Sequence, residues 1–166
     1  MSRIETFTID ITDSAIADLQ QRLTQARWPD QVNDNDWSYG TDLKYLKALI
    51  SYWRNEFDWN KQQSTLNQFP QYRMEIDGQW LHYIHQLSPH AHARPLLICH
   101  GWPGSIVEFL ELIPRLTEPE KFGGRAEDAC HVICPSLPGY AFSEAPGEKG
   151  MNTRAMARKM IQLMAG

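Results

Sequence analysis

Hydrophobic and polar positions change period once along this chain. The stretch FTIDI (7–11) alternates and predicts a short strand. In the next stretch, Ile16, Leu19, Leu23 and Ala26 fall on one face of a helix, with Thr12 or Asp13 as its N-cap and Pro29 as its stop. A polar loop follows over 30–40. Thr41 is placed to cap a second helix, in which Leu43, Leu46, Ile50, Trp53 and Phe57 recur at helical spacing and need a packing partner. Residues 61–69 predict a short third helix, closed before Pro70. Residues 1–70 therefore form a helical leader.

After Pro70 the period shortens. YRMEI, Asp77-Gly78 and QWLHYIHQL read as a hairpin, the Asp-Gly pair supplying the positive backbone angles of a tight turn. His82 and His85 fall in its second strand, read as half-exposed sheet residues without a role. PLLIC (95–99) is a continuous apolar run, the pattern of a strand buried on both faces. A helix is predicted over 105–116, then a loop with Glu118-Pro119 and Gly123-Gly124, and then a second buried strand, HVIC (131–134). A turn-rich loop over 135–150 leads to a last helix over 153–165. Asn152 or Thr153 caps it, and Met156, Met160, Ile161 and Leu163 point to one side. Strand–helix–strand–helix predicts an α/β fold: a parallel sheet entered through an antiparallel hairpin, over residues 71–166.

Composition narrows the function classes. The chain has 166 residues, 42% of them hydrophobic, enough for one domain with a core. A net charge of -4 without a basic stripe argues against a nucleic-acid surface. No apolar run approaches the roughly 18 residues of a membrane span, and the acidic N-terminus does not read as a secretory signal. Cys99, Cys130 and Cys134 form no C-x-x-C pair and sit in or beside strand-like runs. They are expected to be buried, reduced thiols in a soluble cytoplasmic protein, with no metal and no cofactor.

The candidate chemistry lies at the junction His100-Gly101-Trp102-Pro103-Gly104-Ser105, between the PLLIC strand and the following helix. Two glycines and a proline make a sharp turn at the carboxyl end of a buried strand, where ligands bind in open α/β sheets. Such a turn can aim the backbone N–H of Trp102 into a pocket. Ser105 and Glu108 have capping-box spacing, so Ser105 reads as a helix cap and not a nucleophile. The chain contains no G-x-S-x-G elbow. On pattern alone, a functional turn and a merely structural one remain equal alternatives.

HGWPGS, together with Arg27-Trp28-Pro29-Asp30, IDGQWLHYIH and VICPSLPGYAFSEAP, resembles the microsomal-type epoxide hydrolases of the α/β-hydrolase superfamily, in the family's order and at similar spacing. Ala141 stands where many relatives have Gly, which changes no role. The resemblance implies a partial α/β-hydrolase sheet behind a helical leader, ending before the nucleophile strand. It also implies the family's reaction: an Asp attacks an epoxide carbon, lid Tyr hydroxyls hold the leaving oxygen, and a His activates water against the alkyl-enzyme ester. Here Trp102 would give one oxyanion-hole donor through its backbone N–H. His100, Gly101, Trp102, Pro103 and Phe142 would shape the binding site, and the Trp102–Pro103 peptide would be cis. No residue matches the nucleophile, lid tyrosines, orienting acid or base His. The chain is therefore expected to be inactive alone, and to take a small apolar epoxide only with a complementing C-terminal part. An exposed strand edge would favour a homo-oligomer or that complementing chain. Two alternatives stay open: a non-catalytic interaction module on the same scaffold, and a fragment of a related dehalogenase or esterase, which typically lack the helical leader.

Overall fold

The structure, a computed structural model, describes residues 3–32 and 37–166. Part of the polar loop expected at 30–40 lies outside the described residues. The chain divides into two compact units, Ile9–Thr65 and a second made of the segment ending at Thr8 together with Leu66–Gly166.

The first unit is helical. Its α1 (Asp13–Thr24) starts at Thr12, whose hydroxyl accepts the Ala15 N–H. The cap of α2 (Leu43–Asn55) is Asp42, not Thr41: its Oδ1 accepts the Tyr45 N–H at 2.8 Å. A carboxylate also suits the positive end of the helix dipole, which a threonine cannot match. α3 (Trp59–Leu66) begins two residues before the expected stretch. Its Gln63 Oε1 accepts both the Ile11 N–H and the Trp59 indole N–H. Neither α1 nor α2 has a fully buried residue. Ile16, Leu19, Leu49, Trp53 and Phe57 instead line a cleft of about 660 Å³.

The second unit is a five-stranded sheet in the order β1-β2-β3-β5-β4. The hairpin is as expected: β2 (Gln71–Ile76) and β3 (Gln79–Gln86) pair antiparallel, with Met74 opposite Leu81. Asp77 (φ 50°) and Gly78 (φ 71°) are both left-handed, as a two-residue hairpin turn requires. β5 (Cys130–Pro135) pairs antiparallel with β3 and parallel with β4 (Arg94–Leu97). The N-terminal strand is not FTIDI but β1 (Ile4–Thr6), antiparallel to β2. This register sets Glu5 opposite Arg73, whose Nε and Nη2 donate to Glu5 Oε2 at 2.9 and 2.6 Å. Alternation within 7–11 carried no sign of that cross-strand ion pair, which also draws the Glu5 pKa down.

One sheet face packs on α5 (Thr153–Ala165): Met74, Ile76, Leu81, Tyr83 and Ile133 cluster with Met160 and Leu163. Asn152 caps α5 through the Ala155 N–H. Ile161 is exposed, contrary to expectation. It lies about 100° around the helix from Met160, and the inward position beside Met160 goes to Lys159, whose Nζ donates to the Ile76 carbonyl at 2.9 Å. The helix expected over 105–116 is broken into a 3-10 turn, Ile106–Phe109, and a short α4 (Leu112–Thr117). Pro114 is the cause. It has no N–H for the Leu110 carbonyl, and its ring crowds that carbonyl, so an α-helix tolerates it only in its first turn.

PLLIC is not buried on both faces. β4 is an edge strand with one neighbour, so Leu96, Leu97 and Ile98 are half-buried while Pro95 and Cys99 are exposed. All three thiols are free, but the expected burial holds only for Cys134, its pKa pushed up to about 12 by desolvation; Cys130 is intermediate. Among the described residues, no helix is long and apolar enough to cross a membrane.

Candidate active site

The turn after β4 begins where pairing with β5 ends, at the bond from the Ile98 N–H to the Ile133 carbonyl. The Trp102–Pro103 peptide is cis, as expected. The Gly104 N–H closes the turn on the Gly101 carbonyl at 2.7 Å. Ser105 caps the 3-10 turn: its Oγ accepts the Val107 N–H, while Glu108 Oε1 accepts the Ser105 N–H at 3.0 Å. The turn's two glycines serve differently. Neither has a positive φ, so backbone freedom is not their common reason. A Cβ on Gly104 would lie 1.3 Å from Glu108 Oε1, so Gly104 makes room for the cap. A Cβ on Gly101 would meet open space.

His100 is buried and satisfied at both ring nitrogens. Its Nε2 accepts the Leu137 N–H at 3.1 Å, which leaves the proton on Nδ1 to donate to the Gly101 carbonyl at 3.2 Å. Its ring meets Tyr140 edge-on at 5.2 Å. One imidazole thus joins the turn to the loop that follows β5. Beyond it, Trp102 is 83% exposed, a large aromatic standing free at the carboxyl end of a parallel strand.

The second loop is held from within. Gly139 (φ 81°) and Ala141 (φ 43°) are left-handed, and the Gly139 N–H donates to the Glu144 carbonyl. Glu144 in turn accepts the Trp80 N–H through Oε2 and donates its own N–H to the Trp80 carbonyl. Phe142 does not join the turn's residues. Its ring lies against His82 at 5.2 Å and Phe7 at 5.8 Å.

The group that anchors this loop, His82, had no role assigned from the sequence pattern. His82 is 0% exposed, where a half-exposed residue was expected. Its Nε2 donates to Gln71 Oε1 at 2.8 Å and its Nδ1 accepts from Ser136 Oγ at 2.9 Å. Its N–H donates to Ser143 Oγ, and its carbonyl accepts the Ser136 N–H. Ser143 Oγ donates to the Ser136 carbonyl at 2.7 Å, and Gln71 Nε2 to the Leu66 carbonyl at 2.8 Å. Burial alone drives the His82 pKa down to about 4. The Ser136–His82 pair has the spacing of a nucleophile and its base. Both residues are fully buried, however, so no acyl substrate reaches Oγ. The pair does not support an esterase.

Comparison with known proteins shows the family of the chain. The family described as "Epoxide hydrolase N terminus" matches residues 4–109, and the alpha/beta hydrolase fold family matches 94–165. Epoxide hydrolase 1 of Sus scrofa is 45% identical over 165 residues, covering 97% of this chain and 36% of that protein. The juvenile hormone epoxide hydrolase of Bombyx mori superposes with a TM-score of 0.88 at 31% identity, covering 99% of this chain and 44% of that one. The epoxide hydrolase of Aspergillus niger superposes at 0.84 with 30% identity, covering 98% and 43%. The chain thus spans less than half the length of these relatives. Matched over residues 4–109, it belongs to the epoxide hydrolase N-terminus family, and it carries the first part of an α/β-hydrolase fold.

Proposed function

We propose that the chain is the leading part of an epoxide hydrolase and supplies one donor of its oxyanion hole, the backbone N–H of Trp102. The observation that carries this reading is the exposed Trp102 in a turn pinned by His100 and by the Ser105–Glu108 cap, at the sheet edge where α/β proteins bind ligands. In the full reaction a carboxylate forms a C–O bond to an epoxide carbon as the ring C–O bond breaks, and the released alkoxide takes up a proton. Water then adds to the carbonyl of the resulting ester, and negative charge gathers on the carbonyl oxygen. A fixed N–H aimed at that oxygen lowers the barrier, and losing one such donor typically costs about 10²–10³ in rate.

The nucleophile, the lid hydroxyls and the base belong to a complementing C-terminal part, and the substrate is a small apolar epoxide. Three unpaired cysteines accord with a reducing cytoplasm. The test uses the purified chain and an aryl epoxide, with diol formation measured against buffer. The chain alone gives no diol above buffer. Mixed with the remaining C-terminal segment of a 45% identical relative, it forms diol. Turnover by the chain alone that one of its own substitutions abolishes would overturn the proposal, as would a folded, associated mixture that stays inert.

A further inference from the structure

The Trp102 turn is held by a loop whose own anchor lies in the middle of the sheet. From β3, the His82 ring and main chain make four hydrogen bonds, three of them to Ser136 and Ser143 at the two ends of that loop. Leu137, the next residue after Ser136, donates its N–H to His100 Nε2. His100 Nδ1 donates to the Gly101 carbonyl, the peptide unit whose nitrogen belongs to Trp102. Hydrogen bonds, joined by the covalent Ser136–Leu137 linkage, therefore lead from the buried core to the peptide that presents the Trp102 N–H. Every imidazole nitrogen along this path is satisfied, and each ring is held in one tautomer by its partners.

We propose that His82 and Ser136 are positioning residues for the Trp102 N–H, acting through the Leu137 N–H and the His100 ring. Its catalytic meaning rests on the oxyanion-hole reading above, but the coupling is a property of this chain alone. The Ser136 hydroxyl is a link that can be removed without changing backbone or charge. Its loss leaves His82 Nδ1 buried without a donor and removes one of the three hydrogen bonds that tie Ser136 to His82 and Ser143, which loosens the Ser136–Leu137 segment. At its core end the path is closed to water, since Ser136 and His82 are fully buried and His100 is nearly so; it reaches solvent only at the exposed Gly101.

The test is nuclear magnetic resonance on the uniformly ¹⁵N-labelled chain, wild type against Ser136→Ala. The Leu137 amide should exchange at least about tenfold faster, the scale of one lost buried hydrogen bond. The His100 ring nitrogens should lose their single-tautomer pattern, and the Trp102 amide resonance should move. The amides of Met74 and Leu81, paired in the hairpin, should keep their rates. If Leu137, His100 and Trp102 are unchanged in a folded variant, the proposal fails. It also fails if hairpin and loop amides accelerate together, since that would mark a uniformly weakened core. If Ser136→Ala does not fold, wild type decides: a Leu137 amide protected like those of β3 supports the proposal, and one exchanging like an open loop refutes it. No substrate enters these measurements, so their failure is separate from failure of the hydrolase reading.

Discussion

Acid should weaken this protein through His82 before its carboxylates matter. The ring is fully buried and bonded as a neutral imidazole, and burial lowers its pKa from 6.5 to about 4. In the unfolded chain it returns to the ordinary value. Between these two values the unfolded state holds a proton that the folded state refuses, so stability rises with pH across that window and is lost as pH falls through it. The gap of roughly 2.5 corresponds to about 3 kcal/mol once pH reaches 4, with about 2 kcal/mol already gone at pH 5. Those losses are a large share of a typical domain's stability of about 5–15 kcal/mol. The Glu5 carboxyl is held below its ordinary value of 4.5 by Arg73, so the stability it contributes is lost only as pH falls below that value, at the acid end of this window. His85 is also lowered by partial burial and does contribute within it, so the informative quantity is a difference. Urea midpoints of wild type and His82→Gln are compared from pH 7.5 to 4. Glutamine keeps a donor and an acceptor but takes up no proton, so the variant should start lower and show a flatter acid limb, shallower by about 2–3 kcal/mol. Direct titration of the His82 ring by NMR serves as a second reading that needs no variant. Parallel acid limbs, or a ring that titrates near 6.5, would show that the imidazole is not desolvated as described.

Three further outcomes follow from particular contacts. Gly104→Ala puts a methyl where the Glu108 carboxylate caps Ser105 and should cost about 1 kcal/mol in urea unfolding, the usual worth of an N-cap; an unchanged midpoint would mean the cap contributes nothing. Ala141→Gly relieves a left-handed alanine and should raise stability by about 0.5–1 kcal/mol after the entropy of glycine is subtracted, or a few degrees in Tm; a lower Tm would contradict the strain. The edge of β4, with apolar Leu96, Leu97 and Ile98 half-buried and Ile161 and Met164 exposed on α5, should make the isolated chain associate at micromolar concentration, as light scattering can report. A monomer at all concentrations, with slow amide exchange along 95–99, would count against an open edge.

What the sequence made legible is what short-range chemistry decides. Asp77-Gly78 specified its turn because two adjacent residues must both adopt positive φ, and Ser105–Glu108 specified its cap because the unpaired N–H groups of a helix start need side-chain acceptors, here two at a spacing of three residues. The exposed Trp102 turn was readable for the same reason, helped by the family resemblance of its six residues. Errors gathered where a distant partner outweighs the local pattern. Glu5 follows Arg73, 68 residues away, and so moves the first strand off FTIDI. The half-buried β4 reflects its place at the sheet edge, which an apolar run cannot encode.

His82 is the most telling case. A histidine between Leu81 and Tyr83 carries no periodic signal of burial, because its environment is supplied by Gln71, 11 residues away, and Ser136, 54 residues away. A polar side chain inside a sheet is tolerated only if every hydrogen bond is met at once, a condition on two strands and a loop that no window of sequence contains. The same condition makes such a group useful. An oxyanion donor must be exposed to act and rigid to act well, and an exposed turn cannot stiffen itself. Here the exposed part is written locally, in His-Gly-Trp-Pro, while its stiffness is drawn from buried groups elsewhere in the chain. The turn was therefore visible in the sequence, and the buried groups that hold it became visible only in the fold.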